Sequence, residues 1–284
     1  MRVWWMLGLL MVSLAAQAVP QRIVALSWDA AEQVLALGVT PLAVADRADY
    51  QRWVARPALP PSVQDAGSRL EPNLELLARL KPDLILIDGA LADLQPRLAH
   101  LGPVLSLQAF SVDHDNAAMA RQIYLQLATV LGRTAYAQQQ LRRQQTQLAQ
   151  WRVRLAARYP AGAPAVCVIR VGSPSAVWLY GRNSMPQAAI QALGLRPGCP
   201  VETGAWGVAQ RRVSDLARLS GTAVLAIAPL APGGALWHSP LWQAMPFVRE
   251  GRFAAMRPSW TYGGVFSLLY LAEGVVQGLE TMGG

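Results

Sequence analysis

One lysine, two cysteines and three histidines are all that this chain of 284 residues contains of three residue types that carry much of protein chemistry. Lys81 is the single lysine among 25 basic residues, so a formal net charge of +8 rests almost wholly on arginine. Such a surplus suits anionic surfaces or ligands. As a nucleic-acid footprint it is weak in a Trp-rich chain with an export-like start, and no nucleic-acid partner is expected. His100, His114 and His238 are too scattered to form a metal cluster, and each reads as a surface or loop residue. Cys167 and Cys199 lack the spacing of a zinc site. They fall in a strand-like run and a Pro/Gly loop, and whether they pair as a disulfide depends on a distance that sequence does not supply. No Gly-x-Ser-x-Gly elbow and no Walker-type phosphate loop is present. An enzyme is therefore not expected, and neither is a resident metal or cofactor.

What is present is apolar material. Hydrophobic residues make up 53% of the chain, which excludes disorder and allows a sizeable core. The longest uncharged apolar run lies at the N-terminus, from Val3 to Ala16 behind Arg2, and Ala16-Gln17-Ala18 then supplies the small-x-small pattern of a signal peptidase site. At about fourteen residues the run is shorter than the roughly twenty that span a bilayer. Residues 1–18 are thus expected to be a cleaved signal peptide, with a retained anchor as the alternative, and the mature chain to be exported. No cysteine stands at the cleavage point to carry a lipid.

Beyond residue 18 strands and helices alternate. Arg22 to Leu26 reads as a buried strand, Ala30 to Leu37 as a helix stopped by Gly38, and Pro41 to Ala45 as the next strand. Asn73 to Leu80 has a helical apolar face ended by Lys81-Pro82. Leu84 to Ile87 and Val104 to Leu107 follow as strands. Asn116 to Leu131 is helical up to Gly132, and Thr134 to Tyr159 then runs without Gly or Pro, enough for a helix of roughly 39 Å. The second half returns to alternation, with strands at Ala165 to Val171 and Ala223 to Ile227 around a helix from Pro186 to Leu193. Leu76 to Leu80 and Asp215 to Leu219 echo one another before corresponding strands. The expected fold is α/β, with two Rossmann-like lobes of mainly parallel sheet joined by one long helix. Its divisions are 19–132, the bridging helix 133–160, and 161–284.

Several segments resemble a known family. Arg22-Ile-Val-Ala-Leu26, Ala36-Leu-Gly-Val39 and above all Gly67-Ser-Arg-Leu-Glu-Pro-Asn-Leu-Glu-Leu-Leu77 with Lys81-Pro-Asp83 are similar to the iron-siderophore and cobalamin group of periplasmic binding proteins. Tyr50-Gln-Arg-Trp53, Trp206-Gly207, Leu241-Trp-Gln-Ala-Met-Pro-Phe-Val248 and Trp260-Thr-Tyr-Gly263 bring the chain nearest to the ferric-hydroxamate type. The resemblance implies a monomer that binds an iron(III)-hydroxamate siderophore in a shallow cleft between lobes. The rigid helix keeps closure small, and an ABC importer permease in the inner membrane receives the ligand. Haem or cobalamin is the alternative cargo on the same fold.

The same resemblance assigns residues. Arg69 matches the hydroxamate-contacting arginine, whose guanidinium donates two parallel hydrogen bonds to neighbouring oxygens; its alternative is an ion pair with Glu71 or Asp65. Trp53, Trp206, Trp260 and Tyr262 match aromatic cleft walls, and Trp178 matches a further lining position. For each of the four walls, core packing is the rival reading. Leu91 aligns with the tyrosine that hydrogen-bonds the hydroxamate, a departure that removes one donor worth about 0.5–1.5 kcal/mol. Glu75 and Asp215 match the acidic tips that dock on the permease, and both also fit as helix N-terminal acids.

Overall fold

The computed structural model describes residues 19–202, 204–228 and 236–282. The expected signal peptide, 1–18, lies outside the described residues. The first lobe is built from β1 (Ile23–Ala25), α1 (Trp28–Ala36), β2 (Ala43–Val44), β3 (Gln64–Asp65), α2 (Leu74–Leu80), β4 (Leu84–Ile87) and β5 (Val104–Ser106), helices shorter than seven residues being left unlabelled. Its sheet runs β3-β2-β1-β4-β5 with every pair parallel. β1 and β4 are buried along their whole length, as uninterrupted apolar strands covered on both faces should be. α2 begins where Asn73 Oδ1 accepts the Leu76 N–H and ends where Lys81 turns left-handed before Pro82.

α3 (Asn116–Val130) and α4 (Thr134–Arg158) lead into the second lobe. That lobe contains β6 (Ala165–Val171), β7 (Ala176–Tyr180), α5 (Met185–Ala192), β8 (Val208–Arg212), β9 (Thr222–Ile227), β10 (Phe253–Met256) and α6 (Val265–Thr281). Its sheet runs β10-β9-β6-β7-β8, parallel on the β10 side and antiparallel through β7 and β8. Cys167 on β6 and Cys199 in the loop before β8 are joined as a disulfide, with Cα atoms 4.6 Å apart. The echoed segments both precede a parallel strand, one inside α2 and the other in a tighter 3₁₀ turn from Val213 to Arg218. The Leu241 to Val248 motif turns out to be packing: Trp242, Met245 and Phe247 are buried in the core of this lobe.

The long helix lies along both cores. Ala137 and Leu141 belong to the first, while Leu148, Trp151 and Leu155 belong to the second. Between them the buried Gln144 donates through Nε2 to the Val265 carbonyl at 2.7 Å. A second connection was not foreseen. α6 starts in the first core with Val265 and Phe266 and continues in the second with Leu271, Val275 and Leu279. At its start the fully buried Glu32 of α1 accepts from the Ser267 N–H (2.7 Å), the Gly264 N–H (3.1 Å) and the Ser267 hydroxyl (2.6 Å). Gly263 is required there, because a Cβ would collide with Glu32 and Ser267.

Candidate ligand-binding site

A cavity of about 860 Å³ opens between the lobes. The first lobe contributes the segments that follow β1, β3, β4 and β5. These are the carboxyl ends of parallel strands, where open α/β sheets present their ligand crevice. The second lobe contributes the segment entering β8 and the loop after β10.

Arg69 stands in the loop between β3 and α2. Its Nε donates to Asp46 Oδ2 at 3.0 Å, and its guanidinium lies 3.6 Å from the centre of the Trp28 ring. The expected rivals Glu71 and Asp65 are not its partners; Asp46 is, and the Arg69 backbone N–H bonds the same oxygen at 3.1 Å. One edge of the guanidinium is thereby fixed, and among the described residues nothing hydrogen-bonds Nη1 or Nη2. A planar fork held at its base and free at its tips suits two adjacent ligand oxygens.

The facing wall is aromatic. Trp206, 51% exposed, stacks on Phe110 at 4.9 Å and 19°, and meets Tyr262 edge-on at 5.2 Å. Trp260 lies edge-on to both Trp28 (4.9 Å) and Tyr262 (5.3 Å). Burial pushes the Tyr262 hydroxyl well above its ordinary value, with Tyr180 adding to the rise, so it remains protonated at any physiological pH. A hydroxyl in that state is a donor for a ligand oxygen.

Beside the cavity the lobes are clamped by two asparagines. Asn116 donates its backbone N–H to Asn183 Oδ1 (2.9 Å), and its Nδ2 donates to the carbonyls of Asn183 (2.9 Å) and Ala205 (2.7 Å). Asn183 Nδ2 returns a bond to the Ser111 carbonyl at 2.8 Å. These partly buried bonds, with α4 and α6, oppose a wide opening or closing motion.

Residues 23–259 match the family described as periplasmic binding protein. The chain belongs to that family. It is 34% identical over 261 residues to the Iron(3+)-hydroxamate-binding protein FhuD of Escherichia coli, covering 91% of this chain and 87% of that protein. Its fold overlays the siderophore binding protein FhuD from Vibrio cholerae, solved with bound Fe3+–Desferal, at a TM-score of 0.89 and 40% identity over 92% of this chain and 98% of the other. Staphylococcus aureus FhuD2 with bound ferrioxamine B shares the fold at a TM-score of 0.72 and 17% identity, covering 92% and 98% of the two chains.

Of the residues singled out from the sequence of this periplasmic binding protein, Arg69, Trp206, Trp260 and Tyr262 share the cavity. Trp53, Trp178 and Leu91 do not. Trp53 is half-buried against the first core, with the Arg170 guanidinium 5.5 Å from its ring centre. Trp178 projects from β7, 37% exposed, over Gly172. Leu91 is 1% exposed in the first lobe's core, because the 3₁₀ turn Gly89–Leu94 directs it inward while Ala90 and Ala92 line the cavity. Glu75 is exposed in the first turn of α2. Asp215 is half-buried, accepting the Arg212 N–H at 3.2 Å.

Sequence reasoning missed Trp28, Asp29, Asp88 and Phe110, all lining residues. The usable signal was their place, directly after β1, β4 and β5 at the ligand-facing end of a parallel sheet. Asp29 is the most unusual of them. It is 7% exposed, its Oδ2 is buried with no hydrogen-bond partner among the described residues, and burial, against the Ser27 hydroxyl and with the Asp88 carboxylate, raises its carboxyl to about 6.

Proposed function

We propose that this periplasmic binding protein is the soluble component of an ABC importer. It takes an iron(III)-hydroxamate siderophore between its lobes and presents it to the inner-membrane permease. The observation that carries this reading is the Arg69 guanidinium, anchored at Nε and free at both Nη atoms, opposite Trp206, Trp260 and Tyr262. Hydroxamate oxygens around Fe(III) accept from the fork and from the Tyr262 hydroxyl, and the siderophore's hydrocarbon is covered by the indoles. The similarity to two proteins named for hydroxamate or siderophore binding supports the same cargo.

In this reading the chain acts as a monomer in the periplasm after loss of residues 1–18. Residues 19–132 and 161–284 are the lobes and 133–160 the strut. Glu75 and Asp215 meet the permease. The test is tryptophan fluorescence quenching of the mature protein against ferrichrome, ferrioxamine B, a ferric catecholate, haemin and cobalamin. Saturable quenching by the hydroxamates at micromolar or lower concentration is expected. Saturation by haemin or cobalamin alone overturns the cargo.

A further inference from the structure

We propose that Asp29 and Asp88 form a subsite for a cationic group, a primary ammonium carried by the bound siderophore; the proposal rests on the siderophore reading above. The starting point is an imbalance of charge. The molecule carries a formal +8, yet the charged residues lining its cavity are Arg69, Asp29 and Asp88. Arg69 forms its ion pair with Asp46 rather than with either lining carboxylate. The lining is therefore locally acidic inside a basic protein.

A ferric trihydroxamate does not call for that acidity. Three hydroxamates, each with one negative charge, neutralise Fe(III), and the oxygens they present need donors, not acceptors. Two carboxylates offer only acceptors when ionised. Their presence is explained if some other part of the ligand brings donors and positive charge.

The free acceptors of the two residues suit a small cation. Asp29 is the second residue of α1, more than nine-tenths buried, and lines the cavity; the Ser27 hydroxyl and the Ala30 N–H lie beside its carboxylate, yet among the described residues its Oδ2 has no hydrogen-bond partner. A buried acceptor left in that state is costly, and a donor arriving with the ligand relieves the cost. Asp88 commits Oδ1 to the Ala90 N–H at 2.9 Å, and among the described residues nothing bonds its Oδ2. An ammonium has three donors and no acceptor, so both carboxylates, with the Gln108 side-chain carbonyl on the same wall, match its needs. The aromatic wall lies across the cavity, so the pair would set which end of an elongated siderophore lies against the first lobe.

The experiment compares two ferric complexes that differ at one group, ferrioxamine B with its free primary ammonium and the same compound N-acetylated. Affinities are read by tryptophan quenching for the wild type, Asp29→Asn, Asp88→Asn and the double variant, each checked for an unchanged thermal midpoint. The wild type is expected to prefer the ammonium form by about tenfold or more, the scale of hydrogen bonds between charged groups. Each single substitution should cut that ratio several-fold and the double variant should bring it to about one, whatever happens to the absolute affinities. Equal wild-type affinity for the two compounds overturns the proposal, as does a preference that survives the double substitution. If the wild type binds ferrichrome but neither of these compounds, the ammonium subsite alone is overturned; if it binds no ferric hydroxamate at all, the siderophore reading fails and takes this proposal with it.

Discussion

All the charged lining residues, Asp29, Arg69 and Asp88, come from the first lobe, beside apolar ones such as Trp28 and Leu107, whereas the second lobe lines the cavity with Trp206, Val208, Trp260 and Tyr262. The difference follows from what each sheet offers at its edge of the cleft. The first lobe's parallel strands end in tight turns into helices, where backbone N–H groups and short polar side chains gather. The second lobe meets the cleft with an antiparallel strand and a loop, which present large flat side chains. One wall offers hydrogen-bonding and charged groups, and the other offers flat apolar surface. Two first-lobe aromatics join them, Phe110 stacking on Trp206 and Trp28 meeting Trp260 edge-on.

The largest effect expected is on the joint beneath both walls. Burial pushes the Glu32 carboxyl from 4.5 up to about 7, against the donors of Ser267 and Gly264, which lower it. The folded state then holds this proton more tightly than the unfolded chain does. The stability it contributes is complete below about pH 4.5 and is lost as pH rises through 7, a change of about 3 kcal/mol. Denaturant unfolding across that range should show this fall in the wild type and a flatter profile in Glu32→Gln. An identical slope in the two proteins would mean that the aromatic loop is not pinned to α1 through an ionisable Glu32. Next comes the polar wall itself. Arg69→Ala should weaken siderophore binding by about 1.5–3 kcal/mol, and Arg69→Lys should recover only part, since an ammonium lacks the parallel fork. Full recovery with lysine would reduce the arginine's role to charge alone.

How much of this was legible in the sequence depended on whether a residue's surroundings are local. β4 reads directly, since Leu84 to Ile87 is apolar without a break, and α4 reads from 25 residues free of Gly and Pro. β8, Val-Ala-Gln-Arg-Arg, was not seen because it is a largely exposed edge strand with no apolar alternation. α6 was missed although it is strongly apolar, for Gly274 and Gly278 look like breaks. In the fold they are close approaches to Met256 and Leu225, where a Cβ would collide. The site divides in the same way. Trp53 and Trp260 are both tryptophans in proline-bearing segments and both pack against the first core, and only tertiary packing brings Trp260 to the cavity as well. Leu91 was aligned position by position with a cleft tyrosine, but a 3₁₀ turn repeats every three residues, so its neighbours Ala90 and Ala92 take the cavity-facing places. Asp29 has no local signal to set it apart from any first-turn acid; only its burial does.

The aromatic wall should respond more gently than the polar one. Trp206→Ala removes a half-exposed ring that lines the cavity rather than the buried core, so affinity should fall by about 1–2 kcal/mol with the thermal midpoint almost unchanged. A large drop in the midpoint would move Trp206 from the ligand's wall into the fold's support. The smallest effect separates an aromatic of the cavity from one merely near it. Trp178 is exposed on β7 and outside the cavity, and its ring covers Gly172 rather than open ligand space. Trp178→Ala should leave siderophore affinity within about 0.5 kcal/mol of the wild type, the range of an ordinary surface substitution. The quenching amplitude is the sharper readout, because Trp178 contributes emission without lying against the iron complex. Its loss should lower total fluorescence while raising the fraction quenched at saturation. A fall in that fraction, or a tenfold loss of affinity, would place Trp178 against the ligand and extend the aromatic wall along β7.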